Sequence, residues 1–383
     1  MIIICEPQCK GFEHSDVNAA LVGHILKKYN SAVFIAERSH ILCLKESLLL
    51  SDLDKIVFLE TEIPDNSLPD IYRFPRDFFL LKFILSVAAS YKSSQLFFTS
   101  ITSTGLQALK MLLIFNTKFN INVILHGNLE GITSCTSFRP WVYFFWIKNS
   151  LKYFNNTKLK IIVLGDHIRD NLIKLHPELD RHIFSLNMPY FFRNFDYKVP
   201  IHDNLVFGFL GVASEKKGGN TYLRLVNEIT KNELLHCEFK LIGHVTDPVI
   251  DIKDLVYFKN GPNNLFTPMK LDTFIQEVNA IDYSIFCFPL ESYQLSCSAT
   301  FYDALSFVKP IIALKTPFFE YYFKKLGDIG YLCEDEQELY EQTISLITNF
   351  DVERYIKQCQ NILLSREILG EEQTSKQLQT ILN

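Results

Sequence analysis

Leu205–Lys217, LVFGFLGVASEKK, runs into Gly218-Gly219 and decides the reading of this chain. An apolar strand ends at Gly211, a polar turn follows, and a lysine–glycine pair opens a helix expected near Asn220. That is the layout of an anion site: a residue without Cβ lets another group approach the backbone, the first helical N–H groups lack partners, and a cation stands beside them. Further on, a strand over Tyr283–Phe288 leads into the small-residue loop Ser296-Cys297-Ser298-Ala299-Thr300 and a helix over Phe301–Phe307. Two anion-competent loops at strand ends of one βα array point to a nucleotide diphosphate.

Strand-like and helical runs alternate from end to end. The first half predicts strands at Ile2–Cys5, Ala32–Ile35, Ile56–Leu59, Gln95–Thr99, Asn122–Leu125 and Ile161–Leu164. Helices are expected over Ser15–Tyr29, Arg76–Lys92, Ser103–Phe115, Pro140–Phe154 and His167–Leu175. The second half predicts strands at Val206–Leu210, Phe239–Ile242, Val256–Phe258, Tyr283–Phe288, Pro310–Ala313 and Gly330–Leu332, then only helix. Short β-branched runs separated by helices predict an α/β protein with mostly parallel sheets covered on both faces. The join falls in Met188–Asn204, which has two prolines and no periodicity. The expected domains are 1–190, for the acceptor, and 191–366, for the nucleotide, with a helix at 367–383 packing back toward the first. Doubly wound domains facing each other across a cleft place ligands at the carboxyl ends of their strands.

The totals agree. A chain of 383 residues exceeds one ordinary core, and 48% hydrophobic with 21% charged residues is globular. A net charge of −5 gives no basic footprint, so nucleic acid is not an expected partner. The nine cysteines are scattered and, apart from Cys5 and Cys9, unpaired in spacing, which reads as reduced thiols in the cytoplasm. MIIICEPQCKG lacks a basic leader and reads as a first strand, and the longest apolar stretch, Phe78–Ala89, is too short to span a bilayer.

With these stretches in place, the chain resembles a glycosyltransferase of the GT-B fold, most like family 4, the retaining group of bacterial polysaccharide assembly. FGFLGVASEKKGGNTYL is similar to that family's strand, glycine and Lys-Gly helix start, and FKLIGHV, with Gly243, follows at the usual distance. FYDALSFVKPIIAL, Phe301–Leu314, is like its Glu-Ala-Leu-x-x-Gly-x-Pro-Val-Ile-Ala block. VILHGNLEG puts His126-Gly127 at a strand end, where the family has a histidine facing the donor sugar, and IIVLGDHIRDNLIKLHPELDRHIFSLNMPYF resembles its last strand–helix–strand before the linker. Three positions depart: the family's paired glutamates fall on Asp303 and Leu295, with Glu291 the nearest acidic substitute, and its arginine falls on Val212, leaving Lys216 or Lys217 to meet the phosphates.

The resemblance implies a nucleotide-sugar donor, a polyprenyl-diphosphate-linked glycan acceptor, and roles in O-antigen, lipopolysaccharide or capsule synthesis. Lys217 stabilises the leaving diphosphate, Ser298, Ala299 and Thr300 meet its oxygens, and Asp303 takes the ribose hydroxyls. Ser298 and Thr300 suit N-capping equally well, and Asp303 equally suits a helix dipole. His126 faces the sugar, and Gly11 lets the diphosphate or acceptor approach. Glu13, His14 or Asp16 would be the base if the reaction inverts; in a retaining enzyme the leaving phosphate takes the proton. No metal is expected, Asp52-Leu53-Asp54 reading as a solvated helix end. A nucleotide-sugar epimerase of the same fold is the other reading. Tyr72–Lys92 and Ser137–Phe154 combine aromatic and basic residues and are candidates for a peripheral contact with the inner face of the cytoplasmic membrane.

Overall fold

The computed structural model describes residues 1–115, 118–132, 139–152, 158–200, 204–231, 235–246 and 269–383. The chain forms two compact units. One comprises Met1–Phe191, Leu295–Cys297 and Leu369–Asn383, the other Phe192–Gln294 and Ser298–Ile368.

The first unit is built on β1 (Ile2–Cys5), β2 (Ala32–Ala36), β3 (Ile56–Glu60), β4 (Gln95–Phe98), β5 (Asn120–Ile124), β6 (Leu159–Val163) and β7 (Ile183–Ser185). All pairings are parallel, in the order β3-β2-β1-β4-β5-β6-β7, with Ile3 opposite Val33 and Leu96. β1 and β2 are apolar and buried at every position, as strands covered on both faces must be, whereas the edge strand β3 is half exposed. The order reverses between β1 and β4, so the loops leaving those two strands frame the crevice of this sheet.

The second unit holds β8 (Leu205–Ala213), β9 (Cys237–Val245), β10 (Tyr283–Phe286), β11 (Ile311–Leu314) and β12 (Gly330–Cys333), again parallel, in the order β12-β11-β10-β8-β9. Much of the phenylalanine wealth is spent here: Phe207 stacks on Phe239 and Tyr283 at centroid distances of 5.3 and 6.0 Å, all three buried. The order reverses between β8 and β10, whose following loops are the two that the sequence marked.

Several expectations shift in detail. β8 does not end at Gly211 but runs to Ala213, because β9 pairs with it through Gly211–Gly243 to Ala213–Val245. The helix expected to start after Pro75 starts at Asp70; Pro75, six residues in, has no N–H to give the carbonyl of Ile71, an exposed residue. Pro140–Phe154 is not one helix: Pro140–Phe145 and Ile147–Lys152 are separated at Trp146, whose indole donates to Gly131 O at 2.7 Å. Helices Arg38–Ser47, Leu271–Asn279 and Pro317–Leu326 were not foreseen. The first carries few apolar residues and is capped by Glu37, which accepts from Ser39 N and His40 N at 2.8 and 3.2 Å. The strand expected at Val256–Phe258 lies outside the described residues. Among the described residues no helix is long and apolar enough to cross a membrane.

Candidate functional site

In the second unit, three glycines bring the ends of β8, β9 and β10 against the helix Ala299–Ser306. Gly243 has φ +150°, and a Cβ there would lie 2.0 Å from Gly211 O. Gly211 has φ +87°; its Cβ would stand 2.5 Å from the Thr300 methyl and 3.8 Å from the Lys217 ammonium. Gly218, at φ +74°, starts the helix Gly219–Thr230 and passes so close to the Cys287 carbonyl that a Cβ would sit 1.7 Å from its oxygen. Only glycine satisfies both the left-handed backbone and the missing space.

Lys217 ends a short 3-10 turn, Glu215–Lys217, and is half-buried rather than freely exposed. Burial lowers its pKa, and the Asp303 carboxylate opposes that drop. Gly211, Thr300, Lys217 and Asp303 therefore converge at the point where the strand order reverses. Ser298 caps its helix, accepting from Phe301 N at 3.4 Å and lying 3.1 Å from the Thr300 hydroxyl, so the capping role is occupied. Lys216, Glu291 and Ala299 are exposed, and the Lys216 carbonyl accepts from Ser292 at 3.1 Å. The small-residue loop divides. Ser296 and Cys297 belong to the first unit, where Ser296 donates to Glu130 and its carbonyl lies 3.2 Å from His167 Nε2.

In the first unit the loop after β1 carries Gly11 at φ +53°, with its N–H on Ser39 Oγ at 2.9 Å. His14, itself left-handed and exposed, brings its ring to 4.7 Å from that of His126, which follows β5. Burial, then the neighbouring His14, push the His126 pKa well below the ordinary imidazole range, against Glu6 and a hydrogen bond to the Thr99 backbone. His126 is thus neutral at physiological pH. Asp16 is not part of this pair: its carboxylate accepts from Ser47 at 2.5 Å.

Sequence reasoning missed the group on which this loop is built. Glu6, 1% exposed, accepts from Gln8 N and Cys9 N at 2.9 and 3.0 Å, from Thr99 Oγ1 at 2.7 Å, and from the Ser100 hydroxyl. Burial alone would raise its pKa, but those bonds outweigh it and the carboxyl stays ionised, its pKa lowered. Asn18 Nδ2 reaches Glu6 Oε2 and His40 Nε2, both at 3.0 Å. Asn18 donates to the His40 ring, so Nδ1 carries the proton and donates to Gly11 O at 3.0 Å. A charged residue directly after a fully apolar strand was the available signal.

Two parallel-sheet α/β units, each with polar groups gathered where its strand order reverses, define a doubly wound α/β class of protein, a class whose ligand sites lie at such points. No protein-family model matches the chain, and a search of the curated proteins finds no relative. Solved structures do match. WaaG, a glycosyltransferase involved in lipopolysaccharide biosynthesis, superposes with TM-score 0.64 at 8% identity over 100% of both chains. Anabaena Alr3699/HepE in complex with UDP-glucose gives 0.63 at 15% identity over 100% of this chain and 99% of that one. A Listeria monocytogenes protein described as a UDP-N-acetylglucosamine 2-epimerase gives 0.55 at 14% identity, covering 98% and 94%. The chain has the GT-B fold.

Proposed function

We propose that this protein is a glycosyltransferase that moves a sugar from a nucleotide-sugar donor to a hydroxyl of a lipid-linked oligosaccharide, in the manner of family 4 enzymes of bacterial surface-polysaccharide assembly. The observation that carries the reading is the convergence of Gly211, Lys217, Thr300 and Asp303 at the second unit's switch point. There the N-termini of the helices Gly219–Thr230 and Ala299–Ser306 offer N–H groups to a diphosphate beside Lys217. Lys217 meets the charge that grows on the leaving phosphate, and Asp303 accepts from the ribose. Neutral His126 faces the transferred sugar, and His14 beside it is the group within reach of an acceptor proton if the reaction inverts. In a retaining reaction the leaving phosphate takes that proton. The charge work falls to Lys217 and helix termini, with no metal required, and residues of the first unit meet the acceptor at the membrane surface.

Thermal unfolding with UDP and UDP-sugars tests the donor site. A ligand at a hundred times its Kd adds about 2.7 kcal/mol, so the matching nucleotide raises the unfolding midpoint; no shift with any nucleotide sugar overturns the reading. The epimerase reading is favoured by the likeness to the Listeria protein. Incubating the bound nucleotide sugar without acceptor separates the two: an epimerase inverts a sugar carbon, whereas a transferase leaves the sugar unchanged until a polyprenyl-diphosphate glycan is added.

A further inference from the structure

Cys9, Glu13 and His14 lie on the loop after β1, and their ligating atoms (one sulfur, one carboxylate oxygen, one imidazole nitrogen) all fall within 4.8 Å of one another. The transfer chemistry proposed above uses neither Cys9 nor Glu13. Cys9 is only 3% exposed and its N–H is held by Glu6 Oε1 at 3.0 Å, so the backbone carrying the sulfur is fixed; Glu13 and His14 are exposed and able to turn. The His126 ring stands 4.7 Å from that of His14 and is hydrogen-bonded to the Thr99 backbone. A histidine held on one nitrogen by a backbone carbonyl presents the other as an oriented donor, which is how imidazole ligands of metals are positioned.

A sulfur, two imidazoles and one carboxylate make the donor set of a borderline-soft, tetrahedral cation. Magnesium and calcium take several oxygens instead. Bonds of about 2.0–2.3 Å set tetrahedral ligand atoms roughly 3.5 Å apart, a separation that the two exposed side chains reach by rotation.

We propose that Cys9, Glu13 and His14, completed by His126, form a binding site for a thiophilic divalent cation of the zinc class, and that its occupation withdraws the histidine pair from sugar transfer. The second clause rests on the transferase reading; the site itself does not. On binding, the Cys9 thiol gives its proton to water as the sulfur takes the metal.

Cobalt(II) is the probe. Titrated into the full-length, reduced protein, it should give tetrahedral visible bands and a thiolate-to-cobalt charge-transfer band that saturate at one equivalent and are displaced by zinc. Cys9→Ser should abolish the charge-transfer band, and it and the surface variant His14→Ala should each weaken zinc binding by at least about 10-fold. Absence of the charge-transfer band in the unmodified protein, or zinc affinity unchanged in both variants, overturns the site. In the transfer assay zinc should inhibit the unmodified enzyme while Cys9→Ser keeps its basal rate and loses that sensitivity. The cobalt spectrum needs no turnover, so a protein that binds the metal through thiolate yet transfers no sugar retains the site and refutes the transferase reading instead.

Discussion

Lys217 and Asp303 are both half-buried, and the charge of the Asp303 carboxylate acts on the Lys217 ammonium, which makes two substitutions informative. Lys217→Ala should lower turnover at saturating donor by on the order of 10²-fold, the scale of one lost electrostatic contact to a transition state, with the unfolding midpoint little changed. Unaltered turnover would remove Lys217 from the mechanism. Asp303→Asn acts differently. It should raise KM for the donor more than it lowers kcat, because ribose contacts are equal in ground and transition states. It also removes the charge that opposes the burial-driven fall of the Lys217 pKa, so the basic limb of the kcat/KM profile should move to lower pH. A profile that stays in place would show that the two charges do not communicate. At this scale the sequence was informative where glycine, lysine and a helix start are neighbours in the chain, as in GVASEKKGG. It was silent on Glu6, whose partners Thr99 and Ser100 lie more than ninety residues away and are delivered only by β1 pairing with β4.

Among the elements, the helix Asp70–Ser90 leaves large apolar side chains exposed on its outer face. Tyr72 is 66% exposed, Phe79 67% and Phe83 44%, with Arg76 and Lys82 also exposed, a spacing that lays aromatics and cations along one side. Arg73, counted among the basic residues of this segment from sequence, is instead buried against Asp77 at 3.4 Å and donates to Asn66 at 2.8 Å. In the second candidate Trp146 packs against the core of the first unit and Phe145 is buried, whereas Tyr143 and Phe144 are 52% and 51% exposed, and part of Ser137–Phe154 lies outside the described residues. Helical periodicity could not tell these two segments apart, because both are aromatic-rich; only the position of each helix on its sheet decides which rings are covered. If the Asp70–Ser90 face meets the acyl boundary while its cations meet headgroups, the variant Phe79→Ser/Phe83→Ser/Arg76→Glu should lose most of its flotation with anionic vesicles at low salt. Its solubility and unfolding midpoint should hold, since all three positions are exposed. Binding equal to that of the unmodified protein would remove this helix as the membrane contact.

At the scale of the whole chain, the last helix, Glu371–Leu382, returns to the unit that contains the first, Ser15–Leu26. Lys27 pairs with Glu371, Gln377 accepts from Asn187 N at 2.8 Å, and at the centre Ser375 Oγ lies 2.9 Å from His24 Nδ1. His24 is 2% exposed and its Nε2 has no partner among the described residues. Neutral, the ring can leave that nitrogen as a bare lone pair; protonated, it would bury an N–H with nothing to receive it. Burial therefore lowers its pKa from 6.5 to about 4, with Glu371 opposing the fall and Lys27 adding to it. The unfolded chain binds this proton first as pH drops, so the contribution is complete above about pH 6.5 and is lost between there and pH 4, at most about 3 kcal/mol. Chemical unfolding at pH 7.5 and pH 5 should show that decline in the unmodified protein and a shallower one in His24→Gln, which keeps a hydrogen bond to Ser375 without a titrating group. Hydrogen exchange should place the acid-induced opening in Glu371–Leu382 and its partner helix Ser15–Leu26. Equal pH dependence in the two proteins would mean that the coupling between the chain's ends rests on the surface pairs and not on the buried imidazole.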